Sequence, residues 1–228
     1  MNVSMDQEVQ VNRFFSDFAE TWDTLYGGKR NAFWRYIDNK FRRDIYERYQ
    51  LTFEQLGPDL TGKKILDIGC GSGIYCVEAA RRNASTVVGI DISENMVNLA
   101  RAHSSALGFQ GTCSFASSVF PADRHVELLS QRFTHAIVMG VMDYVQDLDR
   151  FMKALRPTIT EFAVLSFPGK HWFREPFRRY RYRLLGRCEI YNYTEQSILN
   201  ACVGGGFRNV NILRLPHSGI TYIVTAYA

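Results

Sequence analysis

No apolar run in the 228 residues approaches the roughly 20 that a membrane-spanning helix needs, so no helical span is expected. The first ten residues, MNVSMDQEVQ, lack the basic-then-apolar order of a secretory signal, and a cytoplasmic protein is expected. Cys-x-x-Cys spacing and a His-x-x-x-His pair are also missing. The five cysteines, Cys70, Cys76, Cys113, Cys188 and Cys202, are an odd number and read as reduced thiols, mostly in the core, with no metal site. Neither an internal repeat nor a low-complexity linker divides the chain. Its length suits one α/β domain with a full core and a small cap, over residues 1–228.

Hydrophobic residues make up 46% and aromatics 14%, as in a soluble globular protein rich in Phe and Tyr. The net charge is only +4, but it is unevenly spread. Lys170, Arg174, Arg178, Arg179, Arg181, Arg183 and Arg187 face the single acid Glu175, so residues 170–187 carry +6 and the remainder −2. The positive charge is therefore local.

Helical patterns come first. Val11, Phe14, Phe15, Phe18, Trp22, Leu25 and Tyr26 recur every three or four positions and mark one face of an amphipathic helix that Gly27-Gly28 ends. Phe33, Trp34, Ile37, Phe41, Ile45 and Tyr49 repeat the pattern, with Arg42, Arg43 and Arg48 among the polar positions and Leu56-Gly57-Pro58 closing the segment. Strands and helices then alternate. Lys64–Ile68 reads as a buried strand, Gly69-Cys70-Gly71-Ser72-Gly73 as a tight turn, and the residues from Ile74 to Ala80 as a helix. Further strands are expected at Thr86–Ile90, near Gly111–Ala116, at His135–Met139 and at Phe162–Ser166. Ser93 and Thr194 read as helix N-caps, residues 147–155 as a helix, and Gly204-Gly205-Gly206 as a helix end. Asn209–Leu215 and Ile220–Tyr227, joined by a short Pro-His-Ser-Gly turn, should pair antiparallel. This order predicts an α/β fold with a mostly parallel, Rossmann-like, seven-stranded sheet, helices on both faces and a C-terminal antiparallel hairpin.

Glycines at alternate positions allow positive φ and close approach of backbone to ligand, and the helix start beyond them adds unpaired N–H donors. A nucleotide-like ligand is expected there. Leu66-Asp67-Ile68-Gly69-Cys70-Gly71-Ser72-Gly73, then Gly89-Ile90-Asp91-Ile92-Ser93 with Asp91 eighteen residues past the last glycine, then Met96, resemble the core of class I S-adenosylmethionine-dependent methyltransferases over residues 60–169. The resemblance implies S-adenosylmethionine as cofactor. It places Gly69, Gly71 and Gly73 under the methionine part, has Asp91 receive both ribose hydroxyls, and has Asp67 help hold the turn and the cofactor's amino-acid end. Ile92, Met96, Gly140 and, from the N-terminal helix, Tyr26 join this cofactor set. A dinucleotide-binding dehydrogenase competes, but its fingerprint is G-x-G-x-x-G, whereas the spacing here is G-x-G-x-G with two helices ahead of it. Where the family often has an acid after the third strand, this chain has Ser117-Ser118; Ser118 or Ser117 hydrogen-bonds the base, or both are solvated loop serines. His135 reads as structural rather than catalytic.

Ligands of an open parallel sheet lie beyond the carboxyl ends of its strands. Gly140-Val-Met-Asp143-Tyr144 and Ser166-Phe167-Pro168 therefore form the expected pocket rim. Asp143 is the candidate base or amine-orienting group, with a helix cap as the bland alternative; Tyr144 stacks on a ligand or packs the core. The first 57 residues read as a helical lid, with Trp22 on the substrate side, and 170–193 as a substrate-cap insert in which Arg174 and Arg178 clamp an anion or simply coat a solvated helix. Tyr191 and Tyr193 would complete an aromatic wall, ahead of a C-terminal helix and hairpin at 194–228. A small acidic or aromatic metabolite is the expected methyl acceptor, through nitrogen, oxygen or carbon, for a monomer or homodimer without nucleic acid or membrane as partner. Phe14-Phe15, Phe18 and Trp22, with Ser166-Phe167-Pro168 to Tyr193, are weakly similar to magnesium-protoporphyrin O-methyltransferases. An RNA methyltransferase is the alternative, since basic residues interleaved with Trp172, Phe173, Phe177, Tyr180 and Tyr182 suit phosphate contact and base stacking.

Overall fold

The computed structural model describes residues 46–121, 127–169, 190–215 and 221–228. The lid stripe from Phe14 to Tyr26, the basic segment and the Pro216–Gly219 turn lie outside the described residues. Residues 46–56 are helical (α1), so the second N-terminal helical pattern runs on to the expected closure at Leu56-Gly57-Pro58. Then follow β1 (Lys64–Ile68), α2 (Ile74–Arg81), β2 (Thr86–Asp91), α3 (Glu94–Ala106), β3 (Cys113–Ser117), β4 (Phe133–Val138), α4 (Leu148–Leu155), β5 (Ile159–Pro168), α5 (Glu195–Gly204), β6 (Asn209–Arg214) and β7 (Thr221–Tyr227). The seven strands form one sheet in the order β3-β2-β1-β4-β5-β7-β6. β1 to β5 pair in parallel, and β7 runs antiparallel to both β5 and β6.

The two faces of the sheet collect different side chains because strand residues alternate. Leu66, Val88 and Val138 join Phe151, Met152 and Leu155 of α4 and Ile198 and Cys202 of α5 in one core. Ile65, Val87 and Ile137 join Phe53 of α1, Cys76 and Ala79 of α2, and Val97 and Ala100 of α3 in the other. Apolar residues on both faces of the inner strands bury the parallel sheet between the two layers of helices. The helix starts are local in origin: Ser93 accepts from Met96 N, and Thr194 and Ser197 form a reciprocal capping box.

Two boundaries differ from expectation. β5 begins three residues earlier than Phe162 and runs through Pro168, which pairs opposite Thr221. Proline ends that ladder without disrupting it, because its carbonyl remains available and accepts from Tyr193 N at 2.9 Å. β4 begins at Phe133, so Thr134 and His135 lie inside it. They sit at the amino ends of the strands, where Thr134 Oγ1 bridges the Lys64 N–H and carbonyl and His135 Nε2 meets Glu161, itself paired with Lys63. Burial carries the His135 pKa down to about 4, and that end of the sheet is opposite the glycine turn.

β2 offers a direct test of how tightly the turn is seated. A Cβ on Gly89 would stand 2.7 Å from Cδ1 of Phe115 and 2.9 Å from Sγ of Cys70. Gly89→Ala should lower the unfolding free energy by about 1–3 kcal/mol in urea denaturation, through overpacking of a closed site. Phe115→Leu in the same chain should recover part of the loss.

Candidate active site

The site grows from the topological switch point, where the chain leaves β1 for β2 on one side and later returns to β4 on the other. Gly69, Gly71 and Gly73 all have positive φ, at 73°, 51° and 76°, so the turn needs residues without a Cβ penalty. A Cβ on Gly69 would stand 2.3 Å from Cγ2 of Val141, whereas one on Gly71 would meet nothing within 4 Å. Among the described residues, the turn is therefore packed against the β4 loop at Gly69 and has no neighbour at the Gly71 position. α2 starts from Gly73 without a side-chain cap, which leaves its first amides for another acceptor.

Two carboxylates define the polarity of this turn. Asp91 closes β2; Oδ2 accepts from Gly71 N and Oδ1 from Ser93 N, both at 2.9 Å. It is buried, and desolvation raises its pKa against the pull of those backbone donors. Each oxygen keeps lone-pair capacity after one bond, so the group fits a diol. Asp67, wholly buried in β1, accepts from Cys76 Sγ at 3.2 Å. Desolvation carries its pKa from the ordinary 3.8 up to about 7, with the Cys76 thiol opposing the rise and the Asp91 charge adding to it. Among the described residues the free cysteines Cys70, Cys76, Cys113 and Cys202 are all buried.

Around this pair the structure places the other sequence candidates. Ile92 is half-buried and its carbonyl accepts from Ser117 Oγ at 3.3 Å; Met96 is buried at the start of α3. Ser118 N donates to the Asp91 carbonyl, and its hydroxyl turns to the Val119 carbonyl. Gly140, with φ 73°, donates its N–H to the buried Ser166 Oγ at 2.8 Å, which ties the end of β4 to β5. Asp143 and Tyr144 follow, both half-buried, in a single 3-10 turn over Met142–Tyr144. The cap of α4 is Asp147, which accepts from Arg150 N, so the capping alternative for Asp143 at that helix is taken by another residue.

Tyr191 N donates to the Asp143 carbonyl at 2.8 Å and Tyr193 OH to the Val145 carbonyl, so the chain beyond the basic segment returns to this rim. Tyr191 is half-buried. Tyr193 is 8% exposed, its ring edge-on to Phe167 at 5.5 Å, which makes it a strut beneath the rim more than part of an open wall. Its pKa is raised by burial first and then by Asp143 and Tyr191. Tyr26, Trp22, Arg174 and Arg178 lie outside the described residues. One residue that periodicity treated as an ordinary polar position enters the site: Arg48 Nη1 of α1 stands 3.8 Å from where a Cβ on Gly140 would be. Val141 falls in the expected rim, but its approach to Gly69 carries no sequence signal, and neither does the approach of Arg48 to Gly140, because each joins elements remote in the chain.

The model of a methyltransferase-domain family matches residues 59–175, more than half of the chain. The protein is a class I S-adenosylmethionine-dependent methyltransferase. The methyltransferase is 29% identical over 178 residues to a ubiquinone biosynthesis O-methyltransferase of Bartonella bacilliformis, covering 74% of this chain and 67% of that one. It is 27% identical over 187 residues to the protein of the same name from Coxiella burnetii, covering 78% and 68%. In fold it is similar to magnesium protoporphyrin IX methyltransferase from Synechocystis PCC 6803 with bound SAH, at TM-score 0.71 and 20% identity over 97% of this chain and 99% of that chain. Geranyl diphosphate C-methyltransferase from Streptomyces coelicolor A3(2) gives TM-score 0.73 at 12% identity, covering 98% of both chains. No helix among the described residues is long and apolar enough to cross a membrane.

The raised pKa of Asp67 makes the stability of the ligand-free methyltransferase depend on pH. The folded state binds this proton more tightly than the unfolded chain, so the contribution is whole below about pH 4, falls as pH rises and is lost above about pH 7. Asp67→Asn should remove that dependence. In urea denaturation at several pH values, the stability of the variant relative to wild type should climb between about pH 4 and 7 and then level off.

Proposed function

We propose that the protein methylates a hydroxyl oxygen of a small acidic or aromatic metabolite. S-adenosylmethionine, when bound, supplies an electrophilic methyl carbon on a sulfonium sulfur. The chain's own work is to align, to exclude water and to accept a proton, since a sulfonium leaving group needs no acid. The observation that carries the reading is the Asp91 carboxylate bonded at once to Gly71 N and Ser93 N beside the bare face of Gly71.

In this reading Asp91 holds the ribose hydroxyls, and the Gly69–Gly73 turn lies under the methionine part with Asp67 near its amino group. Arg48, beside Gly140, suits the carboxylate, because a guanidinium fork matches that geometry. Ile92 and Met96 supply apolar contact and Ser117 or Ser118 polar contact for the base. Asp143 accepts the acceptor's hydroxyl proton, with Tyr144 and Tyr191 around it. The sequence relatives carry the name O-methyltransferase, which supports oxygen as acceptor atom. Trp22, Tyr26, Arg174 and Arg178 complete the proposed cofactor and substrate set, within one domain whose lid spans residues 1–57 and whose cap spans 170–193.

Calorimetry with S-adenosylhomocysteine should show binding that Asp91→Ala weakens by about tenfold or more, the scale of charge-assisted hydrogen bonds. Steady-state assays against small phenols and hydroxy acids should then show Asp143→Asn lowering kcat by about 10²-fold or more with cofactor affinity kept, as for loss of a general base. A kcat unaffected by Asp143→Asn would point instead to an acceptor already ionised at neutral pH, such as a carboxylate. Methylation of RNA alone would overturn the metabolite reading.

A further inference from the structure

α1 is fastened to α2 by a charged cluster that the proposed chemistry does not use. Arg82, just past α2, donates from Nη1 to the carbonyls of Phe53 at 3.0 Å and Gly57 at 2.9 Å, at the carboxyl end of α1. The Phe53 carbonyl already accepts from Gly57 N at 3.1 Å, so Arg82 adds a second donor there, at the negative end of the helix dipole. The guanidinium carbon also lies 4.6 Å from the centroid of the Phe53 ring, and Nε donates to Glu78 Oε1 at 2.9 Å. Glu78 in turn meets the hydroxyl of Tyr49, whose ring packs at 5.0 Å on Phe53 and 5.5 Å on Tyr75. Tyr49 is the neighbour of Arg48. A bonded path thus runs from Arg82 through Glu78 to Tyr49, the chain neighbour of the residue whose guanidinium stands beside Gly140.

We infer that Arg82 is a positioning residue for the cofactor site, setting where the Arg48 guanidinium stands by clamping α1 onto α2. This rests on the reading of Arg48 as the partner of the cofactor's carboxylate. Arg48 is about 12 Å along the helix from the clamped end at 1.5 Å per residue. A tilt of about 10° there would shift Arg48 by roughly 2 Å, enough to break a hydrogen bond. Simple anchoring would stabilise the fold without regard to Arg48; positioning must act through it.

The test is a double-mutant cycle read in the Kd for S-adenosylhomocysteine, on the full chain, with the melting temperature of each variant measured alongside. Arg48→Ala should weaken binding about tenfold and Arg82→Ala about fivefold, both on the scale of a charge-assisted bond. In the Arg48→Ala background, Arg82→Ala should add nothing further. Arg82→Lys, which can still donate to the two carbonyls, should restore part of the affinity. If Arg82→Ala lowers only the melting temperature, or weakens binding by the same factor in both backgrounds, the inference fails while the Arg48 reading stands. If Arg48→Ala leaves the Kd unchanged, both fall. Should Arg82→Ala not fold, Arg82→Gln, whose amide ends two atoms short of the guanidinium Nη1 and carries no charge, decides by the same cycle.

Discussion

The pair of hydrogen bonds from Gly71 N and Ser93 N to Asp91 is the constraint from which the site follows. It ties the turn after β1 to the end of β2 and to the cap of α3, three segments whose relative placement the parallel ladder alone leaves loose. Backbone amides anchor the carboxylate, and among the described residues nothing stands within 4 Å of the Gly71 position. The same arrangement buries two acids close together, Asp91 and Asp67, and raises both pKa values. Burial is the main cause in each case, with the Asp91 charge adding to the rise at Asp67.

The rest of the site is built by approach across the switch point. Val141 packs where Gly69 has no side chain, Ser166 holds Gly140, and the Tyr191 N–H and Tyr193 hydroxyl fasten the rim from below. Each uses a short loop at a strand end, and each loop is held by an adjacent strand or by the chain beyond the basic segment. The loops at the carboxyl ends of β4 and β5 are thereby held to one another.

Much of this was legible from residues in order. The strand-turn-helix at 64–81, the Ser93 and Thr194 caps and the glycine stop after α5 all depend on φ/ψ demands and hydrogen bonds among residues a few positions apart. Where reading failed, the cause was non-local. The fifth strand reads as ending at Ser166, but it runs through Pro168, whose carbonyl accepts from Tyr193 N. Tyr193 reads as a wall residue, but its hydroxyl finds the Val145 carbonyl and its ring finds Phe167. Asp143 reads as a possible cap, yet Asp147 stands at the first turn of α4 and takes that place.

Sequence alone therefore determined the cofactor class. The alternate glycines, the acid at the next strand end and Met96 beyond it carry the resemblance to the methyltransferase family, and that resemblance implies the cofactor. Tertiary structure alone decided that Arg48, twenty-one residues before Gly69, stands beside Gly140 at the far end of β4, and that Arg82 clamps the helix that carries it. The physical reason is that a turn's conformation is set by its own side chains, whereas the meeting of α1, α2 and the β4 loop is set by how two cores pack on opposite faces of one sheet.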